Sequence, residues 1–222
     1  MSPQERPQTG DGSSRPQSVL EHMYMTGEWS DLTIKSREGD AFNVHKSVVC
    51  AASPFFHAAC KSKSGVRKTH SNVIELPENR HTVDAILRHF YSLPIFWIEP
   101  RHFRFDFTIA INEGLGMIRL GKAIDKYGVY SLAATVEKAL STFLFRAVEL
   151  GKHDVVVYIG CQLFDESCDI FQASRFDVLR ATAELVPAIL CNDKTFKMWH
   201  GNAEYMQRTL MVREEMRLAE LE

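Results

Sequence analysis

Apolar and polar positions alternate at Asp31-Leu32-Thr33-Ile34 and again at Phe42-Asn43-Val44, with Glu38-Gly39-Asp40 between them. Side chains of an extended strand point alternately to opposite faces, so the pattern predicts two short strands joined by a turn. A short helix suits 46–52, and Ser53-Pro54 then restarts the chain. Ser is a good N-cap, and Pro is harmless at the first helical position, where its missing N–H would go unused. Phe56, Ala59 and Cys60 are spaced to share one face of that helix. Val73-Ile74-Glu75-Leu76 reads as a third strand, stopped by Pro77, which cannot donate to a central ladder.

Elsewhere the period changes to that of helices. Val19, Leu20, Met23 and Tyr24 recur at helical spacing, and Gly27 suits the C-terminal cap. Val83, Ile86, Leu87, Phe90 and Tyr91 form a complete apolar stripe, which predicts a well-buried helix. After Pro94, Phe103, Phe105, Phe107, Ile109 and Ile111 alternate with Arg104, Asp106, Thr108 and Ala110, which predicts an extra strand or hairpin arm. Met117, Leu120, Gly121, Ile124 and Tyr127 predict a helix ended by Gly128. Ser131 is the expected cap of the next, with Leu132, Val136, Ala139, Leu140 and Phe143 facing inward. Beyond Gly151 and Asp154, the sets Val155, Tyr158, Ile159, Leu163 and Phe176, Leu179, Ala183, Val186, Leu190 predict a helical hairpin ended by Asn192-Asp193. From Thr195 the chain becomes charged, and Met206, Leu210, Met211, Leu218 and Leu221 make only a broken stripe. No repeat of solenoid period and no glycine- or proline-rich linker divides the chain.

This order of strand, hairpin, helix pair and strand resembles the BTB/POZ domain. The residues that carry the likeness are Ser30-Asp31-Leu32, Phe42-x-Val44-His45-Lys46, Ser53-Pro54-Phe55-Phe56 and Val73-Ile74-Glu75-Leu76-Pro77. Ile86-Leu87-Arg88-His89-Phe90-Tyr91 and Ala123-Ile124-Asp125-Lys126-Tyr127-Gly128-Val129 fit the same family's later helices. The remainder is similar to single-BTB proteins of the fungal type. The resemblance implies a mixed α/β fold, mostly helical, in which a small β-sheet caps helical hairpins, with a C-terminal α-helical extension. The expected division is a BTB/POZ-like domain over 18–147, with an insertion at about 95–112, and the extension over 148–222. Residues 1–17, rich in Pro, Ser, Gly, Gln and Arg, have too little apolar surface to offset their ordering entropy and read as a disordered tail.

The same resemblance implies a function in binding. Asp31, His45, Ser53, Pro54 and Phe56 would be structural. A helix at the position of Val19, Leu20, Met23 and Tyr24 packs across a dimer two-fold in that family; the alternative is that it folds back on its own domain. Family members that serve as substrate adaptors of cullin-type ubiquitin ligases tend to carry a hydrophobic residue followed two places later by Glu. Here Val66 and Lys68 are the candidate cullin-facing positions, and the acid is replaced by a base. A reversed charge at a contact can cost several kcal/mol against like charge. The expectation is a protein-interaction module and scaffold whose partners are a second copy of itself and a protein not identified by the sequence, with the cullin adaptor as the alternative.

Composition narrows the other classes. A formal net charge of −2 gives no general drive toward phosphate backbones or anionic membranes. No apolar run approaches the roughly 20 residues needed to span a bilayer, and the N-terminus lacks a signal-like apolar region. Five cysteines without a paired framework suit a reducing, intracellular compartment, cytoplasm or nucleus. The basic run at 61–72 has no interleaved aromatics for base stacking and reads as a solvated face, not a nucleic-acid surface. His45 and Asp31 lack a serine in a Gly-x-Ser-x-Gly elbow. His57, Cys60, Cys50, Cys161 and Cys168 sit singly on apolar faces without paired zinc-ligand spacings. Gly114-Leu115-Gly116 lacks a third glycine, and Glu214-Glu215 lies in a solvated stretch. The sequence therefore predicts no catalytic residue, metal or cofactor, and not an enzyme.

Overall fold

The computed structural model describes residues 18–62, 72–165 and 169–220. The tail at 1–17, Val66, Lys68, Cys168 and Leu221 lie outside the described residues. Helix α1 (Val19–Thr26) opens with the Ser18 hydroxyl accepting from the Glu21 amide at 3.1 Å and closes at Gly27, whose φ is 67°. Strands β1 (Leu32–Lys35) and β2 (Ala41–Val44) form the expected antiparallel hairpin, with Leu32 opposite Val44. Helices α2 (Lys46–Ala52) and α3 (Pro54–Ser62) follow, and β3 (Val73–Glu75) returns to pair in parallel with β1. Among the described residues these strands make one sheet in the order β2-β1-β3. Leu32, Ile34, Val44 and Ile74 bury its inner face.

Ser53 does more than start α3. Its hydroxyl accepts from the Phe56 amide and donates to the Tyr127 carbonyl at 2.7 Å, tying the α2–α3 corner to a helix far along the chain. Phe56 is fully buried, edge-on to Phe90 and beside Tyr127. Helix α4 (Arg80–Phe90) carries the apolar stripe as expected, capped by Asn79 and leading into buried Tyr91.

The strand expected after Pro94 does not form. Two short 3-10 turns, Phe96–Ile98 and Pro100–His102, lead into helix α5 (Phe107–Tyr127). The buried position is Ala110, one of the supposedly outward set, while Phe107 and Ile109 are exposed. Ala110, Gly114, Met117, Gly121 and Ile124 are all buried at spacings of four and three, so the helical stripe extends backwards and outweighs the alternation. Phe103 and Phe105 pack on Phe143 through edge and stacked contacts.

After a 3-10 turn at Tyr130–Leu132 comes α6 (Ala133–Glu149). Ser131 does not cap it: Leu132 holds the cap position without a side-chain bond, and the Ser131 hydroxyl pairs with His89 Nε2 at 2.8 Å. Helices α7 (His153–Asp165) and α8 (Gln172–Leu190) form the hairpin. Leu179, Ala183 and Val186 are buried, but Phe176 and Leu190 face out. Helices α9 (Asp193–His200) and α10 (Ala203–Ala219) are capped by Asn192 and Asn202. On α10 the buried residues are Tyr205 and Thr209, while Leu210, Met211 and Leu218 are exposed. One apolar core runs from Leu32 to Tyr205, continuous across the sheet end and the C-terminal helices.

Candidate interaction surface

Helix α1 lies on its own domain. Leu20, Met23 and Tyr24 are half-buried against the core. The Tyr24 ring sits 5.1 Å from that of Tyr91, and its hydroxyl donates to Asp84 Oδ1 at 2.6 Å. Arg88 donates from Nε to the other Asp84 oxygen at 2.7 Å and places its guanidinium 5.7 Å from the Tyr24 ring. Burial and then the Asp84 carboxylate hold the Tyr24 phenol far above its ordinary range. Two other apolar side chains of the helix stay in solvent: Val19 is 73% exposed and Met25 63%.

The loop after α1 is built to a fixed shape. Gly27 adopts a left-handed φ, and a Cβ there would come within 3.1 Å of Asn43 Cβ. The Glu28 carbonyl can only accept, so His45 Nε2, 2.6 Å away, carries a proton and donates to it. In the neutral ring Nδ1 then accepts from the Tyr91 hydroxyl at 2.7 Å, and that hydroxyl accepts from the His45 amide at 2.9 Å. With the His45 ring so occupied, Asp31 supplies the α2 cap, accepting from the Lys46 amide at 2.8 Å. Ser30 closes the loop through its amide to the Gly27 carbonyl at 3.1 Å. At its tip Trp29 holds φ at 58° and is 76% exposed. A left-handed conformation in a bulky residue costs on the order of 1 kcal/mol and persists only where the surroundings enforce it. A groove of about 310 Å³ runs beside the loop, bounded by Met25, Phe42, Asp84 and Arg88.

The other sequence-derived candidates are scattered into structural roles. His45 and Asp31 serve the loop and the α2 cap, and Ser53, Pro54 and Phe56 build the α3 corner. Gly114 packs against Ile159 and Gly116 against Trp97, so both are helix-contact residues. Cys161 is buried, donates to the Met198 carbonyl at 3.5 Å, and is pushed up to about 11 by burial and then by Asp165. No group of three or more metal-ligating side chains occurs among the described residues. Glu214 pairs with Arg217 at 2.6 Å on an exposed face. In the insertion, Phe96, Phe107 and Ile109 are exposed, and Ile109 joins Trp97, Glu113 and Arg119 around a cleft of about 340 Å³. Burial raises Glu113, against the opposing bond from the Arg104 amide.

Sequence periodicity finds α1 but misses Met25 and Trp29. Both stand off the apolar stripe, and a single large hydrophobic residue outside a pattern carries no signal of its exposure.

The family model of the BTB/POZ domain, a protein-interaction domain, matches residues 20–97, from α1 to the first 3-10 turn. With its small sheet and dominant helices, the chain has a BTB-like fold followed by C-terminal helices. No curated protein matches the chain. No helix among the described residues is long and apolar enough to cross a membrane.

Proposed function

We propose that this chain is a protein-interaction module that pairs with a second copy of itself through α1 and the loop after it, and in that form scaffolds a further protein. The observation that carries the reading is the set Val19, Met25 and Trp29, three large apolar side chains left in solvent on elements otherwise anchored to the core. Large apolar side chains left in solvent on anchored elements are candidates for binding contacts, and tryptophan is enriched at the energetic centre of interfaces. In a two-fold pair the same patch serves both partners, so one helix and one loop supply both sides. Leu20, Met23 and Tyr24 then seat the helix, while Val19, Met25 and Trp29 make the contact. The cullin-adaptor alternative rests on Val66 and Lys68, and nothing among the described residues favours it.

The test is solution mass by light scattering for the native chain and for Val19→Glu combined with Trp29→Glu. Both sites are exposed, so the variant keeps its circular dichroism spectrum while a dimer becomes a monomer. A native chain that is monomeric at every concentration, or a dimer indifferent to the two changes, overturns the assignment.

A further inference from the structure

Two clefts lie end to end along α5. The first, of about 340 Å³, is bounded by Asn79 and Thr82 at the start of α4, Trp97 in the first 3-10 turn, and Ile109, Glu113 and Arg119 on α5. The second, of about 350 Å³, is bounded by Arg37, Glu78, Arg119, Lys122 and Lys126. Asn79, Thr82 and Arg119 line both, so the two make one groove. Its ends differ in chemistry. At the first, Gly116 lets the Trp97 indole lie against α5: a Cβ there would stand 3.3 Å from the ring. Ile109, on the same cleft, is 38% exposed. Glu113 is the carboxylate at this end, and it accepts from the Arg104 amide at 3.1 Å. At the second end four cationic side chains meet one carboxylate, Glu78. Lys126 pairs with Glu78 at 2.8 Å and Arg37 with Glu38 at 3.1 Å. Arg119, at the join, is exposed and forms no hydrogen bond or ion pair among the described residues. The whole chain carries a formal charge of −2, so the positive end is a local feature.

We propose that this groove binds an extended acidic segment of the scaffolded protein, with one large apolar side chain on Trp97 and Ile109 and carboxylates on Arg119 and the cations beyond it. The assignment rests on the reading of the chain as an interaction module and names the surface that takes the further protein. Guanidinium and carboxylate form paired, charge-assisted hydrogen bonds, which suits an arginine without another partner. From Ile109 to Lys126 the helix rises about 25 Å, the length of about eight residues of extended chain. From the level of Asn112 and Glu113, midway along the apolar cleft, to Arg119 is about 10 Å, so the first acid stands about three residues from the apolar one. Glu113 repels an acid at the apolar end and so fixes which end of the segment lies where.

The probe is a library of random octapeptides displayed on phage and panned on the immobilised full chain. The recovered peptides are expected to share an aliphatic or aromatic residue about three places from an aspartate or glutamate. The most enriched is synthesised with a fluorescein label and titrated by fluorescence polarisation. Arg119→Glu and Ile109→Glu change exposed positions, so each keeps the native circular dichroism spectrum and weakens binding about tenfold or more. The proposal is overturned if panning yields no such pattern, if either variant binds the peptide as tightly as the native chain, or if a single-stranded oligothymidylate binds the groove as well as the peptide does, which would make it a plain anion site. Val19→Glu combined with Trp29→Glu leaves the peptide affinity unchanged, so failure of this site and failure of self-association are told apart.

Discussion

His45 joins three parts of the chain through one ring and one amide: the Glu28 carbonyl before β1, its own position before α2, and Tyr91 at the end of α4. It is almost fully buried, so its removal leaves a carbonyl and a hydroxyl facing a cavity instead of water. His45→Ala is expected to lower the unfolding free energy by about 2–4 kcal/mol, measured by urea denaturation. A loss within experimental error would mean that water replaces the ring at no cost. The motif that singles out His45, with Phe42, Val44 and Lys46, was legible in the sequence. The partners of His45 were not, because Glu28 and Tyr91 lie 17 and 46 residues away.

At the scale of elements, α1 is held by few anchors. Its described side chains are at best half-buried, and Asp84 is the acceptor that fixes Tyr24. Asp84→Ala is expected to speed amide exchange across 19–26 by about tenfold, consistent with the loss of one charge-assisted hydrogen bond. Unchanged protection there would show that apolar packing of Leu20 and Met23 suffices alone. Most elements could be read from the sequence because their periodicity and stop signals agree: Gly27 and Gly128 stand where helices end, and Asn192 just past the end of the α7–α8 hairpin. The failures have particular causes. Over 103–111 two periods were superimposed, and Ala110, too small to register as apolar, marked the true one. Ser131 had a tertiary partner in His89 that outbid its local role. On α8 and α10, Phe176, Leu190 and Leu218 face solvent, while the inward positions include the polar Thr182 and Thr209. Hydrophobicity alone cannot see a buried hydroxyl that has found a partner, as Thr182 has in Tyr205 and Thr209 in the Tyr205 carbonyl.

For the whole molecule, three phenols that the fold withdraws from water wholly or in part set its behaviour in alkali. Tyr24, Tyr127 and Tyr205 are all raised far above the ordinary value, by burial first in each case, with Asp84 and Glu78 adding to it for the first two. The folded state therefore holds these protons more tightly than the unfolded chain, whose tyrosines titrate near about 10. Their contribution is complete below that value and is lost as pH rises toward the folded-state values. Thermal unfolding is expected to be unaffected by these groups up to about pH 9 and to fall steadily above about pH 10. An equal midpoint at about pH 8 and pH 11 would contradict this.

The sheet order also fixes a sequence of events during synthesis. Strand β1 meets β2 across a short turn, but its other edge is completed by β3, with Thr33 beside Val73 about forty residues later. Tyr24 waits longer still, 60 residues, for Asp84. As the chain leaves the ribosome, the central strand and the first helix each wait for these later residues before they are finished, with a bare strand edge exposed in the interval.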